Sequence, residues 1–251
     1  EYRERNDHET EKDKEGEKMK KIGIIGGMSW ESTIEYYRII NSEVNKRLGG
    51  VHSASMFIES YDFQEIEELQ HNGEWTKMAE ILSQTAVKLE KCGADFLLIA
   101  TNTMHKVAPQ VAASVNIPLL HIADATAQAI LQGGYSRVAL LGTKFTMQRD
   151  GFYLEKLTDE YNLDVIVPDE TSQNEVHRII FDELCKGVIL DNSRNKLLEI
   201  IDECRLNGAE AVVLGCTVLP NIIKTSSLPI INTTEVHCLA AVNRALEGEI
   251  K

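Results

Sequence analysis

The feature that most constrains the fold is an internal echo. The stretch GADFLLIATNT from Gly93 is matched by GAEAVVLGCT from Gly208, which makes Thr101 and Cys216 equivalent at an offset of 115 residues. KIGIIGG from Lys21 and RVALLGT from Arg137 match at an offset of 116, and each half returns to a proline-led strand, at Pro118 and Pro229. One such likeness is within the reach of chance among β-strands. Two at nearly one spacing point to a duplicated unit.

Around the echo, short β-branched runs alternate with longer segments of 3.6-residue period, the pattern of βα units on mainly parallel sheets. Strands are predicted over 21–26, 54–59, 95–100, 118–122, 137–142, 164–168, 210–215 and 229–232, several of them apolar throughout, as strands covered by helices on both faces require. Helices are predicted over 30–47, 74–91, 123–132, 147–161, 171–186, 193–206 and 235–247, with a further one starting near Lys106. The fold class is α/β, with two similar pseudo-symmetric domains, each a mainly parallel sheet flanked by helices, and the active site between them. The first domain is expected over 19–122, completed by a C-terminal helix at 235–251, and the second over 123–234. Residues 1–18 hold eight acidic and five basic side chains and almost nothing apolar, which predicts a disordered leader or tail.

The chain has 26 basic and 39 acidic side chains, a net charge of −13 that argues against nucleic-acid and membrane-surface partners. No segment reads as an export signal or a membrane span, so the expected location is the cytoplasm. The five cysteines include no C-x-x-C pair, and the histidines have no metal-site spacing, so no metal is expected.

In open parallel sheets, ligands sit beyond the carboxyl ends of strands. The echo puts Thr101 and Cys216 at that place in their two halves, where they are expected to flank one small ligand. Cys216 precedes a predicted helix start whose N–H groups favour a thiolate and a bound anion; the alternative is a buried core cysteine. Asn102 and Thr103 either bind a carboxylate or cap the next helix, and His105 orients a ligand or a neighbour. Gly27 and Met28 lie in a tight strand-to-helix turn with N–H groups free for an anion, but G-x-G-x-x-G is incomplete and no dinucleotide is expected. Thr143 and Thr146 repeat the polar turn in the second half, as ligand contacts or caps. Arg47 is the candidate cation near the first strand ends.

Taken in order, IGIIGGMSWEST (22–33), RLGGVHSA (47–54), TNTMHK (101–106), LLHIADAT (119–126), GT and TM within 142–147, and GCT (215–217) carry a likeness across nearly the whole chain after residue 20. The chain resembles the aspartate/glutamate racemases, which work without pyridoxal phosphate or a metal. The resemblance implies no cofactor, a small amino acid as substrate and a homodimer. It also implies one cysteine from each domain on opposite faces of the substrate α-carbon. Cys216 matches the second cysteine, whereas Thr101 stands in place of the first, as in an atypical threonine/cysteine bacterial branch. By that likeness Cys216 removes the α-proton, and Thr101, with His105 or water, reprotonates the other face, while Thr103, Thr143 and Thr217 hold the α-carboxylate. Val218 stands where a glutamate is common and Asn232 where an aspartate is common. The alternatives are a single-thiol decarboxylase or isomerase of a small dicarboxylate on the same scaffold, and a silent amino-acid-binding descendant.

Overall fold

The computed structural model describes residues 19–149 and 152–247. The expectation for residues 1–18 lies outside them, as do residues 248–251 of the predicted C-terminal helix.

The first half runs β1 (Ile22–Gly26), α1 (Trp30–Leu48), β2 (Met56–Ser60), α2 (Phe63–His71), α3 (Trp75–Lys91) and β3 (Phe96–Ile99), then a 3₁₀ turn (Thr103–Val107) into α4 (Ala108–Ala113). The second half runs α5 (Ile122–Gln132), β4 (Arg137–Gly142), α6 (Lys144–Met147), β5 (Asp164–Ile166), α7 (Glu170–Arg178), α8 (Asp191–Leu206), β6 (Ala211–Gly215), α9 (Leu219–Ile222), β7 (Ile230–Asn232) and α10 (Thr233–Ala245). The first sheet has the order β2-β1-β3, extended by a parallel bridge from Leu97 to Leu119, and the second has the order β5-β4-β6-β7. All the pairings are parallel. With Leu119 counted as the stub of a fourth strand, the two orders coincide, which is what a duplicated unit gives.

Burial follows the two-residue alternation of strands. In the first sheet, Ile25, Leu97 and Ile99 face α3 with Met78 and Leu82. Ile22, Ile24, Phe96 and Leu98 face the other way, against Tyr36 and Ile40 of α1 and Cys238, Ala241 and Val242 of α10. The C-terminal helix therefore packs on the first sheet, while the second has its own core around Val138, Leu140, Val213 and Leu214.

Helix α2 was not predicted, the strand predicted over 118–122 is a single bridge at Leu119, and two predicted helices are interrupted. The helix predicted over 147–161 is broken: α6 ends at Met147, and i→i+5 turns occupy Lys156–Glu160. Phe152, Tyr153 and Leu154 are all buried, and three consecutive residues cannot share one face of a helix. Likewise α7 ends at Arg178 and passes into i→i+5 turns over Ile179–Glu183 and a 3₁₀ turn over Leu184–Lys186.

Candidate active site

Both equivalent residues stand just past a central strand. Thr101 follows β3 and Cys216 follows β6, at the carboxyl ends of the two sheets. They line one cavity together with Met28, Thr103, Thr143 and Thr217. Its other wall is Phe63 and Gln70 of α2 with Ile180, Phe181 and Cys185 from the irregular turns after α7. None of the described residues lining it carries a charge. Its free volume is about 30 Å³, room for one or two waters and too little for an amino acid. A wider groove of about 560 Å³ between α1 and α10 shares Thr217 with it.

Hydroxyl and amide groups join the halves around this cavity. Ser32 of α1 bonds Thr217, and Thr103 bonds Thr143 at 3.3 Å, which in turn bonds Thr146 at 3.2 Å. Asn102 donates from Nδ2 to Thr233 Oγ1 at 3.1 Å. Ser32 follows β1 and Thr143 follows β4, so each hydroxyl pair joins the turn after one half's first strand to the turn after the other half's central strand. The turn before α1 is held by Gly27, at φ +84°, where an added Cβ would lie 2.2 Å from the Tyr61 nitrogen.

Cys216 keeps some exposure, yet burial pushes its thiol up to about 11, with the backbone N–H groups of Val218, Thr217 and Leu219 pulling the other way. The expectation that the helix start alone stabilises a thiolate is corrected: α9 has only four residues, and burial outweighs its N–H groups. Cys185, in the same cavity, is pushed up to about 12 by burial and by the neighbouring Cys216. Behind Thr101 lies a cluster of three histidines, with ring centroids of His105 and His121 4.6 Å apart and of His105 and His237 5.7 Å apart. Burial lowers His105 to about 4, His121 to about 2 and His237 to about 3. His105 is neutral: its Nε2 accepts from the Ile122 N–H at 3.2 Å, so its Nδ1 donates to the Thr101 carbonyl at 2.8 Å.

The model of the Asp/Glu/hydantoin racemase family matches residues 25–241. The chain belongs to this family. The racemase fold is shared with a solved structure from Yersinia pestis described as a candidate Asp/Glu racemase, at 46% identity and a TM-score of 0.85, covering 91% of this chain and 100% of that one. It is shared too with an aspartate racemase homologue from Pyrococcus horikoshii OT3, at 38% identity and a TM-score of 0.78, covering 90% and 99%. Among curated proteins, the chain is similar to the broad specificity amino-acid racemase RacX of Bacillus subtilis (strain 168). That match has 29% identity over 132 residues, 51% of this chain and 56% of RacX. The protein is thus a racemase of the pyridoxal-independent kind, and among its described residues no helix is long and apolar enough to cross a membrane.

Of the residues singled out in the sequence, the racemase structure brings Met28, Thr101, Thr103, Thr143, Cys216 and Thr217 to the cavity. Others lie behind it or elsewhere. Arg47 is corrected as a site cation: it is bound to Glu43 at 2.8 Å and to Asn243 at 2.6 Å, at the far end of α1. The Gly27 N–H is not free for an anion, since it donates to Thr33 Oγ1 at 2.8 Å. His105 is fully buried and lies outside the cavity lining, holding the backbone of Thr101. Asn102 and Thr146 are buried, Asn102 bonded to Thr233 and Thr146 to Thr143. Val218 presents an apolar group to the cavity, and Asn232 caps α10 by accepting from the N–H groups of Thr234 and Glu235, without a charge. Gln70, Phe63 and Cys185 were not among the sequence candidates. Only Cys185 carried a signal, as a thiol, and its helical surroundings masked it.

Proposed function

We propose that the protein interconverts the enantiomers of an acidic amino acid, aspartate or glutamate, by taking a proton from one face of the α-carbon and returning one to the other. The observation that carries this reading is the convergence of Thr101 and Cys216, equivalent by duplication, on one uncharged cavity. Inversion at a tetrahedral carbon needs two proton-carrying groups, one for each face, and one cavity lined by both residues supplies them.

In this reading the hydroxyls of Thr103, Thr143 and Thr217 hold the α-carboxylate, and the positive α-ammonium group draws the Cys216 thiol toward its ionised form. The thiolate takes the α-proton and becomes a neutral thiol, leaving a carbanion that the carboxylate delocalises. Thr101, or a water that it orients, delivers a proton to the opposite face. A threonine hydroxyl is a far weaker acid and a poorer base than a thiol, so the two directions start from unequal groups. His105 contributes by fixing the Thr101 backbone and takes no part in the transfer. The substrate does not fit the cavity as it stands, so binding requires the lining side chains to rearrange.

Variants test the assignment. Cys216→Ser is expected to lower exchange of the α-proton in L-aspartate and L-glutamate by about 10²-fold or more while the fold is retained. Thr101→Cys is expected to restore two thiols and bring the two directions closer in kcat. Full exchange in Cys216→Ser would overturn the assignment.

A further inference from the structure

Gln70, on the last turn of α2, is nearly sealed from solvent at 3% exposure, lines the cavity, and has no hydrogen-bond partner for Nε2. A buried amide donor without a partner is uncommon in a folded chain, because it forgoes its bond to water and gains nothing in return. The position is well anchored: Asp62 caps α2 by accepting from the Gln64 N–H, and Ile66, one turn before Gln70, is buried. The hydroxyls of Ser32, Thr103, Thr143 and Thr217 are already paired with one another. Each chain of hydroxyls keeps one hydrogen over, whereas the Gln70 amide keeps both of its hydrogens to give, in a cavity where none of the described lining residues supplies a cation.

We propose that Gln70 is a specificity-determining residue that reads an oxygen on the substrate side chain, donating from Nε2 to a carboxylate or carboxamide oxygen. The inference rests on the racemase reading for the identity of the ligand as an amino acid, and it adds how the side chain is recognised. A neutral donor does not separate a carboxylate from a carboxamide as a cation would. L-glutamate and L-glutamine are therefore both ligands, and the residue at position 70 sets their ratio. A carboxylate at that position would repel the acid yet accept from the amide NH₂ of glutamine.

Calorimetric titration of L-glutamate and L-glutamine into the wild type, Gln70→Leu and Gln70→Glu tests this, with binding as the readout so that turnover is not needed. Gln70→Leu, of similar volume, is expected to weaken both ligands about tenfold. Gln70→Glu is expected to weaken L-glutamate at least tenfold more than L-glutamine, a change of ratio that a merely structural role would not produce. An unchanged ratio in Gln70→Glu, or full affinity for both ligands in Gln70→Leu, overturns the proposal. α-Proton exchange in the wild type, measured separately, decides the racemase reading, so the two failures are distinguishable.

Discussion

At the scale of single residues, the chemistry turns on one thiol held in its neutral form. Burial pushes the Cys216 thiol up to about 11, so it carries little thiolate at neutral pH until a charge partner is brought to it. The rate of Cys216 alkylation by iodoacetamide, followed by peptide mass spectrometry, is expected to rise about tenfold per pH unit from 7 to 10 without a plateau, because only the thiolate attacks. A plateau near pH 7 would show a thiolate already formed. A saturating amino acid ligand protects the same thiol by occupying the cavity. Thr101, Cys216, Thr103 and Thr143 were legible in the sequence because strand ends and duplication place them. Gln70 was not, since one glutamine in the acidic helix FQEIEELQH carries no signal until the cavity lies beside it.

Among the elements, the strand end that carries Thr101 is held by the buried histidines, which link α5, α10 and the Thr101 loop. His237 accepts from the Tyr36 hydroxyl at 2.7 Å, donating in turn to the Leu120 carbonyl at 3.0 Å, while His105 holds Thr101. Asp124 and Lys156 are the nearby charges, the first raising His105 and the second lowering His121. The folded values of about 4, 2 and 3 lie below the ordinary 6.5, so below pH 6.5 the unfolded chain binds more protons than the folded one. Their stabilisation is complete above pH 6.5 and is lost as the pH falls towards the folded values. Each histidine contributes a slope of up to about 1.4 kcal/mol per pH unit. The thermal midpoint is therefore expected to fall steadily between pH 6.5 and 5, before most carboxylates titrate, and a flat midpoint there would contradict neutral, buried histidines. This network was not legible in the sequence, where His105, His121 and His237 are widely separated and joined by no motif. Seven of the eight predicted strands were legible to within about two residues, the one over 118–122 being reduced to a bridge at Leu119, whereas the turns after α6 and α7 were not legible, because their buried residues follow no single period.

Across the whole molecule, duplication sets the architecture and the architecture sets the site. Two parallel sheets of matching order direct their carboxyl ends toward one cavity, where pairs of hydroxyls join the two halves. The two equivalent strand-end positions differ in chemistry, with threonine at one and cysteine at the other. The net charge of −13 is separate from a cavity with no charged residue among its described lining, which is why the charge count named no substrate. The family likeness was legible because its motifs fall on the strand-end turns that the fold brings together. The reach of Arg47 was misread because α1 carries it to the far end of the helix, a distance that a list of motifs does not show. The account is tested most directly by incubating the full chain with L-aspartate or L-glutamate in deuterated water and following the α-proton and the enantiomers together. It predicts solvent deuterium at the α-carbon with growth of the D enantiomer; the absence of both signals with both substrates would contradict it.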